Sequence, residues 1–180
     1  AGFGNYDSPL NAFLTGKLAM VVQGPWLANV INAHGPKDAS GRPSLDYGVV
    51  PMPVTADLYD ANHPVGLIDC DIMVVPRGVK HPEACMEFIA FLQRQENVEA
   101  MALAHYKSSP LAVSSKAFLE NHPNRGILTF DAIAKSDRTY RVPRTRAWPL
   151  LKDELDAGLQ RMWSLERSAK DELALIERRP

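Results

Sequence analysis

The chain has 180 residues, of which 46% are hydrophobic and 23% are charged, a size and composition typical of a single-domain soluble globular protein. Twenty basic and twenty-one acidic side chains give a formal net charge of −1, which argues against nucleic acid or an anionic membrane as the main partner. No apolar run approaches the roughly 20 residues that a membrane helix requires. A signal-peptide pattern is also absent from the first residues of the sequence.

The first part of the chain predicts helix, strand and helix in quick succession. Ser8-Pro9 has the residue types of an N-cap and a first helical position, and Gly16 predicts the left-handed stop of this short helix. Residues 17 to 22 form a short apolar run that predicts a buried parallel strand. Gly24-Pro25 ends that run and opens a second helix. Trp26 is therefore expected in the first turn of a helix that follows a strand, where open α/β sheets bind their ligands.

The middle of the chain continues the alternation of helix and strand. The second helix is expected to end at about His34, before Gly35, and residues 47 to 50 predict the next strand. A further apolar strand is predicted over residues 72 to 75. A helix then begins at His81-Pro82. Its expected buried face carries Cys85, Phe88, Ile89 and Leu92.

The last part of the chain predicts helices at residues 96 to 104, 114 to 120, 124 to 135 and 149 to 162, with a final helix that starts near Ser164 or Ser168. Val98, Met101 and Ala102 are expected to point to the core from the first of these. Short apolar strands that alternate with helices predict an α/β fold with a parallel or mixed sheet.

The sequence contains two cysteines, Cys70 and Cys85, without the spacing of a metal site. Two buried free thiols are one interpretation, and a disulfide between them is the other, although the geometry of such a bridge is demanding. The five histidines are scattered among predicted loops and helix ends, a pattern that indicates no metal site.

Three stretches of the chain match the pattern of a known family. The first combines Phe13, Gly16-Lys17, Ala19-Met20 and Gly24-Pro25-Trp26, the second is Tyr-Gly-Val-Val-Pro-Met-Pro from residue 47, and the third is the long pattern from Ile72 to Leu92. With these stretches the chain resembles the extracellular solute-binding proteins of sugar-type ABC importers, the maltose-binding-protein class. The resemblance covers essentially the whole chain but corresponds to only the C-terminal part of a full receptor, so the chain is expected to be a fragment or a processed product.

This resemblance implies a type II periplasmic-binding-protein-like α/β fold, of which only the C-terminal part is present. Residues 1–65 and 120–180 are then expected to belong to the C-terminal lobe. Residues 66–119 are expected to cross to the N-terminal lobe, the rest of which is absent. Apolar surface that has lost its usual cover favours self-association, so a homodimer is one expectation.

The candidate ligand-binding residues are Trp26, Asp69, Asp71, Arg144 and Trp148. The resemblance implies that Trp26, and with it Trp148, stacks on the C–H face of a sugar ring, whereas both residues can also belong to the core. Asp69 and Asp71 would lie on one face of a strand and accept hydrogen bonds from hydroxyl groups, or they form a turn. Arg144, with Arg141 and Arg146, is a candidate donor to the ligand or part of a solvated basic loop.

The function that follows is capture of a sugar or polyol outside the cytoplasmic membrane, in the periplasm or the extracellular space, for delivery to an ABC permease. Such a protein needs no catalytic residue, metal or cofactor, since closure of two lobes over the ligand is sufficient. The pair Asp69-x-Asp71 supports one alternative, a metal-dependent glycosyltransferase-like enzyme. A self-associating interaction module without a ligand is another.

Overall fold

A computed structural model describes residues 7–177 of the chain. Within these residues it contains eight helices and one sheet of two strands. The helices are α1 (Asp7–Leu14), α2 (Leu27–His34), α3 (Pro82–Leu92), α4 (Gln95–Ala104), α5 (Lys116–Glu120), α6 (Ile127–Lys135), α7 (Trp148–Trp163) and α8 (Ala169–Glu177). The strands β1 (Gly66–Leu67) and β2 (Thr139–Tyr140) pair in parallel, with Gly66 opposite Thr139.

The helix ends follow the predicted cap residues closely. Gly16, at φ +70°, closes α1, and the Lys17 N–H donates to the Ala12 carbonyl at 2.8 Å across this left-handed turn. α2 ends at His34 and is followed by Gly35, as predicted. Ser8, however, is a helical residue and not the cap, since α1 already includes Asp7 and proline is tolerated in the first turn of a helix.

The predictions of strands at residues 17 to 22, 47 to 50 and 72 to 75 are wrong, since none of these segments forms a strand. A strand needs a neighbour for its N–H and C=O groups, and β1 with β2 is the only sheet within residues 7–177. The apolar side chains of these segments are also largely exposed, with 71% of Val22, 80% of Val50 and 76% of Ile72 accessible. The structure is therefore mixed but mostly helical, with a small parallel sheet.

The predicted buried faces of α3 and α4 are only partly confirmed. In α4, Val98 and Ala102 are buried as expected, whereas Met101 is 39% exposed. No residue of α3 is buried, and Phe88, which was expected to be inside, is 61% exposed. Helical periodicity shows which face is apolar, but it does not show whether another element covers that face.

The chain divides into two compact units, one that ends at Tyr140 and one that begins at Arg141. In the first unit, Leu10, Leu14 and Ile31 form a core cluster between α1 and α2. A second cluster joins α4, α5 and α6. Its buried members are Ala102, Phe118 and Ile127.

The second unit is a pair of helices, α7 and α8, joined through a buried ion pair. The Glu172 carboxylate is 1% exposed and accepts two hydrogen bonds from Arg161, from Nε at 2.7 Å and from Nη2 at 2.8 Å. Gly158 lies against this carboxylate, since a Cβ at that position would be 3.2 Å from Glu172 Oε2. A small residue at position 158 thus allows α7 and α8 to approach around the ion pair.

Candidate functional site

Trp26 lies at the N-terminal end of α2. It is the N-cap residue, directly before Leu27, and its backbone is already helical, with φ −59° and ψ −19°. Its side chain is half-buried and packs against the core cluster of Leu10, Leu14 and Ile31. A Cβ on Gly24 would come within 3.1 Å of both Cδ1 and Nε1 of Trp26. The edge of the indole therefore lies directly against the backbone of Gly24.

The turn before Trp26 is held by a distant buried amide, that of Asn124. This side chain is 1% exposed, and its Nδ2 donates to the Pro25 carbonyl at 3.0 Å and to the Tyr106 carbonyl at 3.2 Å. Its Oδ1 accepts from the Gly126 N–H at 2.9 Å. Asn124 and Gly126 are buried and Pro25 and Tyr106 are half-buried, and an unmade hydrogen bond away from water is costly. Asn124 thus joins the start of α2 to the segment that follows α4.

His122 contacts both Asn124 and the segment that follows α4. Its Nδ1 lies 3.0 Å from the Asn124 N–H, and its Nε2 lies 3.0 Å from the Lys107 carbonyl. Because the Asn124 N–H can only donate, Nδ1 accepts, and Nε2 carries the proton that it donates to Lys107. Burial lowers the pKa of His122, which favours the neutral ring that this pattern requires.

Asp69 and Asp71 lie in the exposed segment that follows β1. Asp71 Oδ2 is 2.6 Å from Lys107 Nζ, and this hydrogen bond lowers the pKa of Asp71. Asp69 Oδ1 accepts from the Cys70 N–H at 2.9 Å, a local contact of the kind that turns use. Since this segment is not a strand, strand alternation no longer places Asp69 and Asp71 on one face. The structure instead brings Asp71 to the segment that Asn124 and His122 hold.

Arg144 and Trp148 belong to the second compact unit. Arg144 is exposed, as are Arg141 and Arg146, and Trp148 is the half-buried first residue of α7. Their assignment to a ligand site stays a prediction. Trp163, the last residue of α7, is 72% exposed.

Both cysteines are free thiols, so the alternative of a disulfide is not observed. Cys85 is half-buried on α3, whereas Cys70 is exposed and the expectation that both are buried is wrong. Cys70 follows Asp69 in a segment without sheet partners, which leaves its side chain in solvent. Within residues 7–177 no three His, Cys, Asp or Glu side chains are grouped so that they could hold a metal ion.

The first compact unit also contains a cleft of about 310 Å³ that the sequence did not indicate. One wall is a face of α2, and the opposite wall comes from three separate segments. The residues that define it are Ala28, Ile31, Asn32, Tyr47, Tyr106 and Arg125. No local pattern could have found this cleft, because its polar side chains are far apart in the sequence and only the packing of α2 brings them together.

Aromatic rings and polar groups converge in this cleft. The Arg125 guanidinium lies over the Tyr47 ring, 4.7 Å from its centroid, and its Nη1 donates to the Tyr47 carbonyl at 3.3 Å. Asn32 Nδ2 donates to the Tyr106 hydroxyl at 2.6 Å. Burial raises the pKa of Tyr47, while the charge of Arg125 acts in the opposite direction. Such a concave site with a few converging polar groups has the form of a small-molecule site.

Comparison with known proteins gives one family. Residues 3–125, more than half of the chain, match the family described as bacterial extracellular solute-binding protein. No curated protein matches the chain. None of the helices within residues 7–177 is sufficiently long and apolar to span a membrane. The chain therefore belongs to the family of bacterial extracellular solute-binding proteins.

Proposed function

We propose that this protein is the substrate-binding component of an ABC importer and that its solute is a sugar or polyol. The family supports a solute-binding role in transport, with a small molecule as ligand and a transporter as partner. That the transporter is an ABC importer, and that the solute is a sugar or polyol, are proposed here in addition to this role. Both steps rest on the resemblance of the three sequence stretches to sugar-type receptors.

The observation that carries the proposal is the place of Trp26. An aromatic side chain at the start of a helix, with one edge fixed against Gly24, provides a rigid surface for stacking. One face of a pyranose consists largely of C–H groups, which an aromatic ring covers while the hydroxyl groups remain free at the edge. Asp71 supports the proposal as a second contact, because its side chain is 88% exposed and keeps acceptor sites beside Lys107.

The remaining features of the proposal follow from the same family. The protein would act in the periplasm or outside the cell, possess no catalytic group, and use Arg144 and Trp148 as further ligand contacts. We also propose that residues 1–65 and 120–180 belong to one lobe of a two-lobed receptor and that residues 66–119 pack on the other. The glycosyltransferase alternative is not favoured, since the family is a solute-binding one.

Titration with a panel of mono- and disaccharides, followed by tryptophan fluorescence, tests this function. We expect a saturable change with one class of sugar in the wild-type protein and a lower affinity for that sugar in Trp26→Phe, measured by isothermal titration calorimetry because this variant lacks the reporting indole. Trp163→Phe is the matched control, because Trp163 lies at the exposed end of α7 and its replacement should leave the affinity unchanged. The absence of any saturable response across the panel, or an unchanged affinity in Trp26→Phe, would contradict the proposal.

A further inference from the structure

The cleft beside α2 offers hydrogen-bond donors that the protein itself does not use. Asn32 Nδ2 donates to the Tyr106 hydroxyl oxygen at 2.6 Å, so the hydroxyl proton remains available to another acceptor. Among the described residues no group accepts that proton. Arg125 uses only Nη1 in its contacts with Tyr47 and Asp46, which leaves its other N–H groups for a ligand.

The lining of the cleft contains a cation, Arg125. Among the described residues that line it, Arg125 is the only charged side chain. Its partner Asp46 lies outside the lining, at 3.3 Å from Nη1, and is fully exposed, so the pair is a weak surface contact. The guanidinium lies over the Tyr47 ring at 4.7 Å from its centroid, a cation–π contact that favours this position of the side chain.

The backbone at Tyr106 provides a second, independent observation. Tyr106 has φ +58°, a left-handed conformation that glycine normally occupies. It follows the end of α4, where the Lys107 N–H donates to the Ala102 carbonyl at 2.9 Å and the Tyr106 N–H donates to the Leu103 carbonyl at 3.2 Å. This is the hydrogen-bond pattern in which glycine is favoured. A tyrosine is held there at a conformational cost, and its side chain extends into the cleft.

A strained residue whose side chain enters a cleft is typical of binding sites. From the unused donors, the single cation and this strained tyrosine, we infer that the cleft binds a small organic carboxylate. The carboxylate accepts hydrogen bonds from Arg125 and from the Tyr106 hydroxyl, and Asn32 and Tyr47 provide further polar contacts. A volume of about 310 Å³ lies at the lower end of the range for small-molecule sites. Trp26, on which the proposed sugar contact rests, is not one of the residues that line this cleft.

The inference is tested with sodium lactate as the probe and lactamide as its uncharged counterpart. Two-dimensional ¹H–¹⁵N NMR spectra of the protein are recorded during each titration at constant ionic strength. We expect saturable shifts of the Asn32 side-chain amide and of the Ala28 and Tyr106 backbone amides with lactate, and no saturable shift with lactamide. Loss of a charge-assisted hydrogen bond should weaken lactate binding about tenfold or more in Arg125→Gln.

Matched variants separate the site from general effects of the substitution. Arg94→Gln is the control for charge, because the Arg94 guanidinium also lies over a ring, that of Phe91, but outside the cleft. Tyr106→Phe keeps the ring and should weaken binding. Lactate binding is followed at the amides of the cleft and sugar binding by the tryptophan signal, so failure of the sugar proposal remains distinguishable from failure of this one.

Replacement by glycine tests whether binding needs the Tyr106 side chain at this left-handed backbone position. Tyr106→Gly removes the strain together with the side chain and should abolish lactate binding. Leu165→Gly is its control and should leave lactate binding unchanged. Leu165 has φ +59° after α7 in the same kind of turn, and its side chain is 91% exposed. Equal shifts with lactate and lactamide, no saturable shift with either, or unchanged lactate binding in Arg125→Gln would overturn the inference.

Discussion

Asn124 donates a hydrogen bond of 3.0 Å to the main-chain carbonyl of Pro25, although 99 positions separate the two residues in the sequence. Pro25 directly precedes Trp26, the residue on which the proposed sugar contact rests. The position of that tryptophan therefore depends on a side chain from the far end of the first compact unit. The stability of this unit and its binding properties should respond together to changes at Asn124.

Asn124→Ala removes the donor to two carbonyls and the acceptor of the Gly126 N–H. We expect the free energy of unfolding to fall by about 3 kcal/mol, since each buried polar group left unsatisfied costs roughly 1–3 kcal/mol. Urea denaturation followed by circular dichroism measures this change. Asn121→Ala is the control, because Asn121 is exposed and donates only to Ala117 within α5. Equal costs for the two variants would contradict the role of Asn124.

Acidification should destabilise the junction at His122. Burial lowers the pKa of His122 from its ordinary 6.5, so the unfolded chain binds a proton more readily than the folded protein. The contribution of neutral His122 to the free energy of unfolding is therefore fully present above about pH 6.5 and is lost as the pH falls through the lowered pKa. We expect the pH dependence of unfolding in this range to weaken in His122→Gln. A pKa of His122 at or above 6.5 would contradict this assignment.

NMR titration of the imidazole rings provides the internal control for that prediction. The hydrogen bond to Asp137, 2.8 Å from His63 Nδ1, raises the pKa of His63. The contribution of this ion pair to the free energy of unfolding has the opposite pH dependence. It is present below about pH 6.5 and is lost as the pH rises through the raised pKa of His63. Asp137→Asn should lower the pKa of His63 and leave the pKa of His122 unchanged.

Gly24→Ala should displace the Trp26 indole without unfolding the chain. The new Cβ would lie 3.1 Å from Cδ1 and Nε1, so the ring must move by a few tenths of an ångström. We expect a shifted tryptophan emission spectrum and weaker binding of any sugar that the wild type binds. Gly48→Ala is the control, because no atom lies within 4 Å of its added Cβ. Identical spectra for Gly24→Ala and the wild type would mean that the indole is not fixed by this contact.

The exposed apolar side chains of α3 predict self-association. Phe88 is 61% exposed and Met86 is 57% exposed, and burial of such surface against a second copy is favourable. Sedimentation velocity over a range of concentrations should therefore show a dimer that Phe88→Glu shifts toward monomer. Val113→Glu, at a site that is 73% exposed in the loop after α4, should leave the equilibrium unchanged. A wild-type chain that is monomeric at all concentrations would contradict the prediction.

The helices of this chain could be predicted because their limits depend on local chemistry. Gly16, at φ +70°, and Pro82, in the first turn of α3, act through the backbone conformations that their own residue types allow, and these effects need no distant partner. Strands lack this independence. The apolar run at residues 72 to 75 has the residues of a strand, but in the described structure no neighbouring strand pairs with it.

Some residues of the candidate site could be predicted from the sequence, and others could not. Trp26 could be singled out from the sequence because a glycine-proline turn and the family pattern both mark its position. Asn124, His122 and Tyr106 could not, since each is an ordinary polar or aromatic residue within its own segment. Their roles depend on carbonyl groups and side chains from other parts of the chain.

The sequence by itself determined the helical segments and the membership in an extracellular solute-binding family, because both depend on short patterns of neighbouring residues. Only the tertiary structure decided the pairing of β1 with β2, the buried amide that holds the turn before Trp26, and the cleft that contains Tyr106 and Arg125. The physical reason is that hydrogen bonds and packing between distant segments depend on where the chain returns, which no local pattern specifies.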